Sequence, residues 1–193
     1  MARGRRAERH DRTPLEPTPG SAADLTPPAD PESVVRTIVL TALTAAPRSR
    51  AQLEDKLAAK GAPPEVAARV LDRFEQVGLV DDAAFARSLV RSRQASRGLA
   101  GRALRQELRR TGVADETAAA ALAELDPEQE LATARALVAK RMPATRGLPQ
   151  PKRVARLSGM LARKGYPSGL AFQVVREALL ADGAEGAEDL EPE

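Results

Sequence analysis

Cysteine and tryptophan are absent from this chain, and histidine and tyrosine occur once each. Without cysteine there is no disulfide, no thiolate metal site and no cysteine nucleophile. The single histidine, His10, sits in a polar N-terminal stretch. The rest of the chain therefore has no residue for a Ser-His-Asp triad or a histidine zinc site. Aromatic residues make up only 2% of the 193. The core must come from Ala, Leu and Val, which favours close-packed helices over a sheet sandwich. No run of ~18 apolar residues reads as a membrane span. The N-terminus carries charge but no apolar core of a secretory signal. No Gly-rich phosphate loop is present. These absences point away from an enzyme and toward a soluble, cytoplasmic protein with no cofactor or metal and no membrane partner.

What the chain does have is one phrase written three times: Leu53-x3-Leu57-x3-Gly61, Leu104-x3-Leu108-x3-Gly112 and Leu157-x3-Leu161-x3-Gly165. The copies lie 51 and 53 residues apart (104−53 and 157−104), and an alanine follows each glycine by six residues: Ala67, Ala118 and Ala171. Self-similarity at such a period is the mark of a repeat architecture. Apolar residues recur at helical spacing, and no window alternates as a strand would. The expected fold is all-α: three tandem three-helix repeats over 32–80, 81–125 and 126–181, forming an elongated, curved array. A disordered arm is expected over 1–31 and an acidic disordered tail over 182–193, since neither has an apolar period.

Helix punctuation supports this division. Ser49 with Gln52 spells a capping box. Pro63-Pro64 and Asp126-Pro127 are helix starts, because proline at the first helical position costs no hydrogen bond. Asp82 reads as the cap of one helix and Asp115 as the cap of another. The three glycines read as helix stops, and Tyr166 beside the last of them as an apolar capping contact. Residues 143–151, with three prolines and a glycine, read as a longer loop. Lys60-Gly61-Ala62 and Thr111-Gly112-Val113 mimic a DNA-binding hairpin. The second glycine such a hairpin needs is replaced by Pro63 and Ala114.

The net charge of +3 hides a pattern. Residues 1–31 carry five bases and five acids, and 182–193 carry six acids. The body therefore has 25 bases (30−5) against 16 acids (27−5−6), or +9. Residues 87–110 hold eight Arg and one acid, and 135–164 hold nine bases and no acid. Like charges at helical spacing repel, so such runs do nothing for stability and point to an anionic partner. With ~100° per residue, Arg102, Arg105 and Arg109 share one helix face, which suits bidentate binding of phosphate oxygens. The candidate contact residues are Arg91, Arg102, Arg105, Arg109, Lys152, Arg153 and Arg156.

Taken together, Pro47-Arg48-Ser49-Arg50, Gly78-Leu79-Val80-Asp81-Asp82 with Phe85-Ala86, Gly101-Arg102-x-Leu104 and Glu107-Leu108-x3-Gly112-Val113 make the chain resemble the RecX family of bacterial RecA regulators. The resemblance covers roughly 34–180. It implies an all-helical, curved array that lodges in the groove of the RecA–single-stranded DNA filament. It also implies restraint of recombinase, ATPase and co-protease activities with no catalytic residues. The implied partners are the RecA filament and single-stranded DNA, directly or through RecA, and the expected state is a monomer. The long N-terminal arm departs from compact members of the family. An autonomous nucleic-acid-binding helical repeat protein is the alternative, with a helical scaffold for another protein behind it.

Overall fold

The computed structural model describes residues 30–183. Of the expected arm and tail, only Asp30, Pro31, Asp182 and Gly183 fall within it. The described residues form nine α-helices and one 3-10 turn, with no strand. Module one contains α1 (Pro31–Ala45), α2 (Arg50–Ala59) and α3 (Pro64–Gln76). Module two contains α4 (Asp82–Arg97), α5 (Gly101–Arg110) and α6 (Asp115–Ala123). Module three contains α7 (Pro127–Arg141), α8 (Gln150–Arg163) and α9 (Ser168–Ala181), with the 3-10 turn Met142–Thr145 before α8. The stretch read as a loop thus begins with ordered structure. Thr145 is buried there and its hydroxyl donates to the Met142 carbonyl at 2.8 Å.

Each module packs its third helix on its first and second around its own core. The repeated leucines are fully buried: Leu53 and Leu57, Leu104 and Leu108, Leu157 and Leu161 are each 0–1% exposed. Their helix starts differ from the sequence reading in two places. Asp81, not Asp82, caps α4, accepting from the Ala84 N–H at 2.9 Å. Asp82 reaches across instead and accepts from the Arg50 N–H at 2.8 Å, so module two caps the start of α2. Asp115 is the first residue of α6 rather than its cap, which is Ala114. The Ser49–Gln52 capping box and the Asp126 cap form as read.

The three second helices run end to end in the order α8, α5, α2. At the joint of modules three and two, the Ala100 N–H donates to the Lys164 carbonyl at 2.8 Å. Ala100 is the residue just before α5 and Lys164 the one just after α8. At the joint of modules two and one, the Ser49 hydroxyl donates to the Thr111 carbonyl just past α5. Both joints set a carbonyl at the end of one helix against a donor at the start of the next, which satisfies terminal groups.

The phrase glycines are therefore joints as well as stops. All three have positive φ (Gly61 +72°, Gly112 +75°, Gly165 +89°). A Cβ on Gly165 would lie 2.3 Å from the Ala103 nitrogen, and one on Gly112 would lie 2.2 Å from the Ala51 Cβ. At Gly61, the free end of the line, a Cβ would meet nothing within 4 Å.

Tyr166 fastens the joint of modules three and two. It is 1% exposed and its hydroxyl donates to the Gly98 carbonyl at 3.2 Å. This goes beyond the apolar cap read from its position. Burial, with the Glu130 carboxylate nearby, pushes its phenol up to about 12. A raised folded value means stabilisation that is complete below the ordinary phenol value of ~10 and lost as pH rises through the folded one. Tyr166→Phe should cost about 1 kcal/mol at neutral pH, by stranding the buried Gly98 carbonyl. It should also remove the loss of stability above about pH 10 that is expected of the wild type. Urea melts of both proteins at neutral and alkaline pH measure this. Identical pH profiles would contradict it.

Candidate functional site

The seven candidate bases separate into three environments. Arg91, Arg102, Arg105, Lys152 and Arg156 are exposed, and none takes part in an ion pair among the described residues. Arg91 lines a shallow depression of about 340 Å³ with Gln94, Ala95, Gln129 and Thr133, between α4 and α7. Its neighbours Arg93 and Arg97 both bond Glu107, at 2.7 and 2.5 Å. The only acid of the 87–110 run thus ties α4 to α5 and leaves Arg91, Arg102 and Arg105 uncompensated.

Arg109 is exposed but paired. Its Nε and Nη2 donate to the two Asp115 carboxylate oxygens at 2.8 and 3.2 Å. Those bonds, then the Arg109 charge and more weakly the Arg105 charge, hold the Asp115 carboxyl below its usual range. Arg109 would have to leave Asp115 to grip a phosphate.

Arg153 does not belong to an exposed face. It is 7% exposed, and its Nη2 bonds the Asp182 carboxylate at 2.5 Å. Met142 Sδ lies 3.0 Å from the same nitrogen, and the Thr145 hydroxyl 3.4 Å from Nε. The correction has a simple cause: Arg153 lies four residues before Leu157, on the helix stripe that faces the core. Its anion, Asp182, stood among the residues read as tail. Arg146 also donates to Asp182, at 3.0 Å.

The hydrogen bond from Arg153, then that from Arg146, holds the Asp182 carboxyl below its usual range. A lowered folded value means stabilisation complete above the unfolded carboxylate value of ~4 and lost as pH falls through the folded one. Asp182→Asn should lower the melting temperature at neutral pH and flatten its fall below about pH 4. Melts across pH check this, and a parallel fall in both proteins would contradict it.

Apart from Arg110 and Arg163, each six residues past its first leucine (110−104 and 163−157), the exposed bases of α5 and α8 do not occupy equivalent positions. With ~100° per residue from Leu104, Arg102, Arg105 and Arg109 lie at about 100–160°; from Leu157, Lys152, Arg156 and Arg163 lie at about 220–260°. The two sets flank their leucine stripes on opposite sides. In module three the places of Arg105 and Arg109 are taken by Ser158 and Ala162, which line an uncharged depression of about 330 Å³ with Phe172. Arg163 was missed by the sequence reading. It is exposed and lies two turns from Arg156 on one face, so its spacing alone could have found it.

Module one carries little free positive charge on its second helix. Arg50 is surrounded by Glu54, Asp72 and Glu75 at 2.9, 2.7 and 2.5 Å. Among the described residues no group of three or more His, Cys, Asp or Glu is placed to hold a metal. No described helix is long and apolar enough to cross a membrane.

Comparison with known proteins gives the same three units. The models of the first, second and third three-helix domains of RecX match residues 36–74, 81–122 and 128–175. The regulatory protein RecX of Thermobifida fusca is 55% identical over 169 residues, 88% of this chain and 89% of its own length. That of Streptomyces lividans is 52% identical over 159 residues, 82% of this chain and 85% of its own. The crystal structure of RecX from Lactobacillus salivarius shares the fold, with a TM-score of 0.73 at 20% identity over 79% of this chain and 99% of that one.

Proposed function

The chain belongs to the RecX family of regulatory proteins, and from that premise we propose that it binds the RecA–single-stranded DNA filament and restrains its recombinase, ATPase and co-protease activities. It acts in the cytoplasm, as a monomer, without a cofactor and without catalysis of its own. The observation that carries this reading is the exposed, unpaired set Arg102, Arg105, Lys152 and Arg156, held on two helices joined end to end. Arg91 on α4 is a further exposed base, and Arg109 becomes available when its bond to Asp115 opens. Filament surfaces offer phosphate and carboxylate groups, which exposed bases on α5 and α8 can meet. Module one, its Arg50 already surrounded by Glu54, Asp72 and Glu75, adds no second-helix arginine to these bases.

The alternative, autonomous nucleic-acid binding, is favoured by those same bases having no acid partner among the described residues. Titration of labelled oligo(dT), bare and coated with RecA, over a salt series separates the two. The filament reading expects tighter binding to the coated strand at every salt concentration. Equal or tighter binding to the bare strand would favour the alternative. Each phosphate contact on a single strand contributes ~0.7 to the log–log salt slope.

A further inference from the structure

Where module one meets α4, two adjoining depressions of about 280 and 290 Å³ share Pro47, Phe85 and Ser88. Together they make one groove, with Leu43 and Leu79 along one part and Leu89 along the other. The link into α4 runs along it, and nearly every residue of that link has a part in the fold. Gly78 turns the chain at φ +72°. Val80 is 3% exposed in the core of module one, and Ala86 is 0% exposed in that of module two. Asp81 caps α4 and Asp82 caps α2. Leu79 takes part through its backbone alone, its N–H donating to the Phe74 carbonyl at 2.8 Å, while its side chain stays outside both cores. It is 52% exposed, and Val77 before it is 54% exposed. A single exposed leucine is ordinary, but one held on a capped link beside an apolar groove forms a contiguous patch. The lining carries both signs of charge: Asp81 lies in it, its carboxylate already accepting from the Ala84 N–H. Arg48 lines one end and is exposed, with no ion pair among the described residues. Arg93 lines the other end but is already paired with Glu107, which leaves Arg48 to receive a partner's carboxylate.

We propose that this groove is a protein-docking site, separate from the phosphate-facing bases of α5 and α8. Its occupant is a segment of a partner protein that projects an apolar side chain between carboxylates. The apolar side chain packs against Leu79 and Phe85, and a carboxylate reaches Arg48. Such an anchor in a groove with a charged rim is the usual way a small surface gains both affinity and register. The inference rests on the reading that the target is a protein–DNA filament, and it assigns this groove to the protein side of that target.

The chain has no cysteine, so Ser88→Cys can carry a single environment-sensitive dye in the groove. Three probes are titrated: bare oligo(dT), RecA-coated oligo(dT), and a short synthetic peptide of leucines flanked by glutamates. The dye should shift to the blue with the coated strand and with the peptide, and not with the bare strand. Leu79→Ser should weaken binding to the coated strand about tenfold, leaving oligo(dT) affinity and melting temperature unchanged. Arg48→Glu should do the same. A silent dye together with unchanged filament binding by Leu79→Ser would overturn the docking site while leaving the proposed function standing. If the wild type fails to bind the coated strand, the functional reading falls instead. The peptide then decides the groove, and no shift at millimolar peptide overturns it.

Discussion

Gly165→Ala should destabilise the protein by about 3 kcal/mol or more, from a left-handed backbone cost of ~1–2 kcal/mol and an overpacking cost of ~1–3 kcal/mol. The overpacking is severe because the new methyl meets backbone: the Ala103 nitrogen at 2.3 Å and the Ala100 carbonyl oxygen at 3.1 Å. Backbone at the start of α5 moves only if the joint opens, which would also break the Ala100–Lys164 and Tyr166–Gly98 bonds. Gly112→Ala should cost less than Gly165→Ala, because the new methyl meets Ala51 alone, but far more than Gly61→Ala, because the Ala51 Cβ at 2.2 Å moves only with its backbone. Gly61→Ala should cost only the ~1–2 kcal/mol of the backbone, with open space around it. Urea melts of the three variants give the order 165, then 112, then 61. Tyr166 is the only tyrosine and there is no tryptophan, so its fluorescence reports directly on the joint that Gly165→Ala opens. Equal costs at all three positions would mean the glycines are helix stops alone.

Replacing Arg102, Arg105, Lys152 and Arg156 together by alanine should weaken filament binding by about 100-fold at physiological salt. The log–log salt slope should fall by roughly 3, at ~0.7 for each of four contacts. The melting temperature should hold, because these side chains are exposed and no ion pair is lost. Two single variants sharpen the test. Arg109→Ala should have a small effect on binding, since that guanidinium is already satisfied by Asp115. Arg153→Ala should lower stability instead, by leaving Asp182 without its closest partner on the buried side. Unchanged filament affinity in the fourfold variant would remove these bases from the mechanism.

These contrasts show what could be read before the fold was known. Leu53, Leu104 and Leu157 repeat at a fixed period, so helix type and core side were legible from spacing. Caps at Ser49 and Asp126 were legible because capping is local: donor and acceptor lie within three residues of one another. Asp82 was misread because its partner, the Arg50 N–H, is 32 residues away, and no local rule selects it over Asp81. Arg153 was misread for a related reason. Positive charge suggested the surface, while its i,i+4 relation to Leu157 pointed inward, and the anion that resolves the conflict lies 29 residues on. The double role of Gly112 and Gly165 could not be seen at all. A positive φ shows in sequence as glycine, but close approach by Ala51 or Ala103 exists only once modules are stacked. The opposite placement of most bases on α5 and α8 was legible from the helical period, had the two helices been aligned on their leucines.

The central claim is that this chain restrains the RecA filament through exposed bases of α5 and α8 carried on a jointed helical array. The most direct test is the RecA ATPase rate on single-stranded DNA at low salt, with the chain present well below the RecA concentration. Strong inhibition is expected from the wild type and from Arg109→Ala. Little inhibition is expected from the folded variant with Arg102, Arg105, Lys152 and Arg156 all changed to alanine. Full ATPase activity in the presence of the wild-type chain would contradict the claim.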